Sequence, residues 1–204
     1  MTYLTIMQSV ARNAGIEPPT AISGNDPDQV LLGQFINEAG QEITRRVDWG
    51  VLRKTHTLTG TGAALDHPLP ADFDRFPMGL SITAGTDRVR GSLTSDEWAS
   101  LTPIAGTPRY FYLYGTKVAF YPFLKSGDTA KLIYQSKNWA LAGSTPGSRL
   151  VAQTDTTVLS ETLIESGAVW RWRRHVGKSF SDHLAEFEGQ LADYAKFDGG
   201  VRLP

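Results

Sequence analysis

Tyr110-Phe111-Tyr112-Leu113-Tyr114-Gly115-Thr116-Lys117-Val118-Ala119-Phe120-Tyr121 is the stretch that decides the fold class. Tyr110–Tyr114 and Lys117–Tyr121 flank Gly115-Thr116, a two-residue connection suited to a tight β-hairpin. Tyr110, Phe111, Tyr112, Tyr114, Phe120, Tyr121 and Phe123 crowd into 14 positions. Aromatic residues at pleated positions form core and cross-strand pairs, so the cluster predicts a small antiparallel sandwich or barrel. Upstream, Thr55, Thr57 and Thr59 alternate with His56 and Leu58 before a Gly60–Gly62 turn. Downstream, Thr129–Gln135 reads as a third strand after the Ser126-Gly127-Asp128 turn. A short helix is predicted over Ser95–Leu101, capped by Thr94 or Ser95.

Outward from this β zone (residues 51–141) the periodicity changes to helical on both sides. In residues 1–50, Leu4, Met7, Val10, Ala11 and Ala14 recur at three- and four-residue steps and Gly15 supplies a stop. A second helix starts at Asp26-Pro27, with Asp26 as N-cap and Gln29 in a capping box. Its buried stripe is Leu32, Phe35, Ile36, Ala39, Ile43 and Val47, and Arg45 and Arg46 suit the negative end of its dipole. A Gly/Ser/Thr-rich connector (142–157) leads into a C-terminal helical zone (158–197). There Val169, Trp172, Val176, Phe180, Leu184, Phe187, Leu191 and Tyr194 follow a heptad-like seam. Gly177 is a candidate break. Residues 198–204, with two glycines and a terminal proline, read as a flexible tail that projects or wraps. The expected fold class is α+β: a helical lobe from both chain ends with a central antiparallel β-sandwich or barrel-like insertion.

Composition narrows the chemistry. The 204 residues carry a formal net charge of −1, 41% hydrophobic and 20% charged residues, and no cysteine. Disulfides, thiolate metal sites and cysteine nucleophiles are thereby excluded. Near-zero net charge advertises neither nucleic acid nor an anionic membrane as partner. The start lacks a signal-peptide pattern, and no apolar run approaches a membrane span, so a chain made in the cytoplasm is expected. Asp66-His67 beside Pro68 reads as a turn, and His175 and His183, eight apart on a helix, lack a further ligand at suitable spacing. Asp72 with Asp74, or Glu186 with Glu188, could pair as acid and base, but nothing in the sequence separates such a pair from solvated charge, which is the reading adopted. No phosphate-binding loop, dinucleotide fingerprint or nucleophile elbow is present. The expectation is no catalytic residue, no cofactor and no metal. The most distinctive segment is Trp170–Lys178, where Arg171, Arg174, His175 and Lys178 share one helical face opposite Val169, Trp172 and Val176. A solvated basic face on an amphipathic helix, an interface with an acidic partner and contact with DNA phosphates all fit this pattern. The overall charge disfavours the last, and the four are taken as the candidate partner interface.

An ordered set of signals runs through nearly the whole chain. It comprises Phe35-Ile36-Asn37-Glu38-Ala39 ending at Asp48-Trp49, Leu69-Pro70-Ala71-Asp72-Phe73 with Arg75-Phe76, and Trp98. Then come Gly106-Thr107-Pro108-Arg109-Tyr110, Phe120-Tyr121-Pro122, Leu132-Ile133-Tyr134, the helix with Ala168, Trp170 and Arg174, and Tyr194. In this order the set resembles the portal-adaptor, or head-completion, proteins of short-tailed and related bacteriophages. The resemblance implies a non-enzymatic virion protein that binds the portal as a ring, typically of twelve copies. It would present a surface to tail or nozzle proteins, sit at the head-to-tail junction after assembly in the host cytoplasm, and let DNA pass through the ring lumen. Some relatives degrade cell wall, so a peptidoglycan hydrolase is the competing enzymatic reading. A carbohydrate- or protein-binding module built on the aromatic sheet is the third.

Overall fold

The computed structural model describes residues 1–22, 24–79 and 82–198; the expected tail beyond Asp198 lies outside the described residues. The chain divides into two compact units, residues 1–52 with residues 137 onward, and residues 53–136.

The first unit begins with α1 (Tyr3–Ala14) and α2 (Pro27–Arg46). Thr2 caps α1, and Gly15 ends it in the left-handed conformation at φ 77°, which glycine adopts without a Cβ penalty. The buried stripe is Tyr3, Ile6, Met7, Val10, Ala11 and Ala14, whereas the expected Leu4 is half-buried at its edge. In α2 the Asp26 carboxylate accepts from the backbone N–H of Asp28 at 2.9 Å, and Pro27 occupies the first turn, where its missing N–H is no loss. The six residues of the expected α2 stripe are all buried. Gly40 belongs to the same face: a Cβ there would stand 2.4 Å from the indole of Trp139, so the ring packs on bare helix backbone.

The second unit is an eight-stranded, nearly closed barrel-like sheet. It comprises β1 (Arg53–Thr59), β2 (Asp66–Pro68), β3 (Phe73–Arg75), β4 (Ile82–Ala84), β5 (Asp87–Gly91), β6 (Tyr110–Tyr114), β7 (Lys117–Tyr121) and β8 (Thr129–Ser136). The order is β1-β8-β4-β5-β6-β7-β2, with β3 also paired to β8. The hairpin register runs from Tyr110 opposite Tyr121 to Tyr114 opposite Lys117, as the Gly115-Thr116 connection demands. One junction is parallel: Arg90 and Gly91 pair with Tyr110 and Phe111. A parallel neighbour needs a crossover rather than a tight turn, and α3 (Ser95–Ala99), with its Thr94–Glu97 capping box, lies in that crossover. Inside, the register aligns Leu132, Ile82 and Val89, and these pack with Phe111, Val118 and Phe120.

Two features of this unit depart from the sequence reading. Asp66-His67-Pro68 is a strand paired to β7, not a turn, and buried His67 packs on Phe120 with ring centroids 5.7 Å apart. Asp72, expected as solvated charge, anchors a partly buried polar cluster. It accepts from Lys54 Nζ at 2.6 Å, Tyr134 Oη at 2.8 Å and Ser136 Oγ at 2.8 Å. Partial burial pushes the Asp72 carboxyl upward, but those three donors outweigh it and hold its pKa at about 2.

Back in the first unit, residues 137 onward add a three-stranded sheet: β9 (Ala140–Ala142), β10 (Thr145–Gly147) and β11 (Thr156–Thr157), in order β10-β9-β11. The buried Asn37 amide of α2 clamps the chain before β11, accepting from Leu150 N–H at 2.8 Å and donating to its carbonyl at 3.1 Å. Helices α4 (Glu161–His175) and α5 (Ser181–Phe197) follow. The break falls where glycine allowed it, since Gly177 has φ 71°. The expected seam is consequently not continuous. Val169, Trp172, Phe187 and Leu191 are buried, but Val176 is 42% exposed just past the end of α4 and Tyr194 is 40% exposed. Phe180 and Leu184 are only partly buried. A seam that assumes one unbroken helix loses its phase at the turn between α4 and α5.

Candidate interaction site at the end of α4

Helix α4 packs on α2, and its last turns carry the residues singled out from sequence. Arg171 departs from the expectation of an outward-facing cation. Its side chain is only 10% exposed and is folded onto the helix pair. It donates to the Gly167 carbonyl at 2.7 Å, pairs with Glu42 of α2 and approaches Glu38 at 3.8 Å. Its guanidinium lies 4.3 Å from the Trp170 ring centroid, a cation–π contact. Arg171 is therefore a clasp between α4 and α2. The step of three residues from Arg171 to Arg174 spans a buried edge and an open one.

Arg174, His175 and Lys178 are exposed and form no ion pair among the described residues. The negative end of the α4 dipole favours cations here, and this alone explains part of the clustering. It does not explain the notch beside them. Phe35, Glu38, Trp170, Arg171, Arg174 and His175 line a cavity of about 280 Å³. The His175 ring lies 5.8 Å from Phe35 and 6.2 Å from Trp172. Trp170 Nε1 is buried without a hydrogen-bond partner among the described residues. Arg174 and His175 thus meet an apolar floor at one notch, whose lining also carries the Glu38 carboxylate. Sequence reasoning omitted Arg173, whose Nε donates to the Ser179 carbonyl at 2.8 Å and holds the turn after α4. Its place in the last helical turn was the available signal.

The other candidates from sequence are structurally committed. Glu188 is gripped by both terminal nitrogens of Arg46 at 2.6 and 2.7 Å, and Asp74 pairs with Arg75 at 2.8 Å. His175 and His183 stand on different helices, because the Gly177 turn separates them. Among the described residues no group of three or more His, Cys, Asp or Glu could hold a metal ion, and no described helix is long and apolar enough to cross a membrane. The aromatic sheet offers a self-packed column: Trp98 stacks on Tyr112 at 5.4 Å and Tyr112 on Tyr114 at 5.5 Å. Tyr112 is engaged by a ring on each of two neighbours, where a sugar platform presents bare ring faces.

The model of the SU10 adaptor protein family matches residues 1–204, the whole chain. The chain belongs to the SU10 adaptor protein family. No curated protein matches it significantly. Family membership makes it a bacteriophage adaptor, a structural component of the virion that associates with other head and tail proteins, and speaks for a non-enzymatic role. The two-unit α+β fold, with helices from both chain ends in one unit and a barrel-like sheet from the middle of the chain in the other, is the form this adaptor takes.

Proposed function

We propose that this adaptor docks beneath the phage portal as a ring of twelve copies and offers its outer surface to tail or nozzle proteins. Packaged DNA would pass through the lumen. The observation that carries the reading is the end of α4: Arg174 and His175 line the Phe35–Trp170 notch, and exposed Lys178 follows in the turn after the helix. None of the three has an ion pair among the described residues. An acidic partner surface with one apolar side chain would meet the cations and fill the notch, the arrangement expected of an interface hot spot and its rim. Ring formation on the portal follows from effective concentration. Copies held side by side on a ring meet at far higher local concentration than free copies, so the isolated chain is expected to be monomeric or weakly associated. The protein would be made in the host cytoplasm and reside at the head-to-tail junction.

Co-sedimentation with purified portal tests this. Arg174→Glu with Lys178→Glu is expected to retain the wild-type melting temperature, because exposed unpaired charges contribute little to stability. The same pair is expected to weaken portal binding at least about tenfold, since like charges then face each other. Unchanged docking of the folded variant would remove the α4 end from the interface.

A further inference from the structure

The outer face of the barrel-like sheet carries a second set of cations, unrelated to the α4 end. Register places Thr57 of β1, Lys131 of β8, Thr83 of β4 and Arg88 of β5 in one row across four strands. Their chain neighbours Leu58, Leu132, Ile82 and Val89 are buried, which fixes Thr57, Lys131, Thr83 and Arg88 on the opposite, outer side. Two residues further along β5, exposed Arg90 pairs in register with Tyr110, and exposed Arg53 opens β1.

These cations are left over from the internal charge pairing of the unit. Asp66, Asp72 and Asp74 are held by Lys117, Lys54 and Arg75. Arg53, Arg90 and Lys131 form no ion pair among the described residues, and Arg88 donates to the Gly79 carbonyl. Asp87 alternates to the other side of β5, Asp96 and Glu97 stand in the first turn of α3, and Asp128 lies in the turn before β8. Lys and Arg outnumber Asp and Glu across residues 53–136, although the whole chain carries −1. The near-neutral total conceals a positively biased sheet.

We infer that this face binds the phosphate backbone of double-stranded DNA without reading its sequence. Lys131 and Arg88 stand two strands apart, about 10 Å, and Arg88 and Arg90 about 7 Å apart along one strand. Neighbouring cations can therefore meet different phosphates of one backbone. Thr83 places a hydroxyl donor between Lys131 and Arg88, and Thr57 another beside Lys131, which suits phosphate oxygens. A protein partner would call for a desolvated apolar centre, and the row itself has none. Exposed Ile133 of β8 and Tyr110 of β6, on this same face, stand on separate strands without forming one. A single strand would call for bare aromatic faces, but the rings of Trp98, Tyr112 and Tyr114 stack on one another. What remains is a grid of cations and hydroxyls, the chemistry of backbone contact.

The test is fluorescence anisotropy of a short labelled duplex of arbitrary sequence with the full chain. Binding is expected at low salt, with log K falling against log salt at a slope of about −3 to −4, corresponding to about four phosphates. Arg88→Glu with Lys131→Glu is expected to lower affinity more than about tenfold and flatten the slope by about two, with an unchanged melting temperature. If that pair disturbs folding, Arg88→Gln with Lys131→Gln gives the same comparison. Arg174→Glu with Lys178→Glu is expected to leave DNA affinity intact. No binding at low salt, or equal weakening from the α4 and sheet variants, would overturn the inference. So would sheet variants that keep DNA binding but lose head or tail proteins, because the face would then be a protein contact.

Discussion

Replacing Arg171 with alanine probes the difference between a clasp and an interface cation. In the folded protein its guanidinium donates to the Gly167 carbonyl at 2.7 Å, pairs with Glu42 and covers the Trp170 ring at 4.3 Å. A hydrogen bond involving a charged group contributes about 1.5 kcal/mol or more, and a cation–π contact about 0.5–1 kcal/mol. The Glu42 pair is the contact that crosses to α2; it adds up to about 1 kcal/mol, since Glu42 keeps Arg46 at 3.3 Å as an alternative partner. The alanine variant should therefore lose about 2–4 kcal/mol. Arg174→Ala, three residues on and solvent-exposed, should lose no more than about 0.5 kcal/mol. For a chain of this size the first loss corresponds to a drop of roughly 5–12 °C in melting temperature. Tryptophan fluorescence is the appropriate readout, since Trp49, Trp139, Trp170 and Trp172 all belong to the helical unit and only Trp98 to the sheet. If Arg171→Ala and Arg174→Ala melt together, the clasp has no energetic substance and Arg171 returns to the list of interface cations.

Phe187 is fully buried in the helical core, so Phe187→Ala should destabilise that unit by about 3–5 kcal/mol, measured by denaturant titration with the same fluorescence signal. The sheet unit should respond to acid through Asp72. Its carboxyl is held at about 2 when folded against an ordinary value of 3.8, so its contribution is present above pH 3.8 and is lost as pH falls toward 2. The loss should be about 2 kcal/mol, and Asp72→Asn should flatten this segment of the stability–pH curve.

Much of this architecture is legible in the sequence where the signal is local. The hairpin at Gly115-Thr116, the Asp26-Pro27 helix start and the Gly177 break each rest on backbone chemistry of a few residues, and each stands where those residues demand. The illegible parts depend on partners distant along the chain. Strands β2, β3 and β4 are three residues each, too short for an alternation pattern, and exist because β7 and β8 supply their ladders. His67 carries the signature of a turn residue, yet it is buried because β2 lies against β7. Helical periodicity placed Arg171 and Arg174 on one face, but periodicity does not tell which cation a carboxylate on another helix will capture. Glu42 stands 129 residues from Arg171, and only the packing of α4 on α2 brings them together. The same limit hid the sheet cations, whose alignment is a matter of strand register across β8, β4 and β5.

The most direct test of the adaptor account is an electron cryo-microscopy map of the head-to-tail junction in the assembled virion. The account predicts twelve copies under the portal, with Arg174, His175 and Lys178 at the end of α4 against an acidic portal surface and an apolar side chain seated between Phe35 and Trp170. A ring in which the α4 end faces open solvent, or a position for this chain away from the portal, would contradict it.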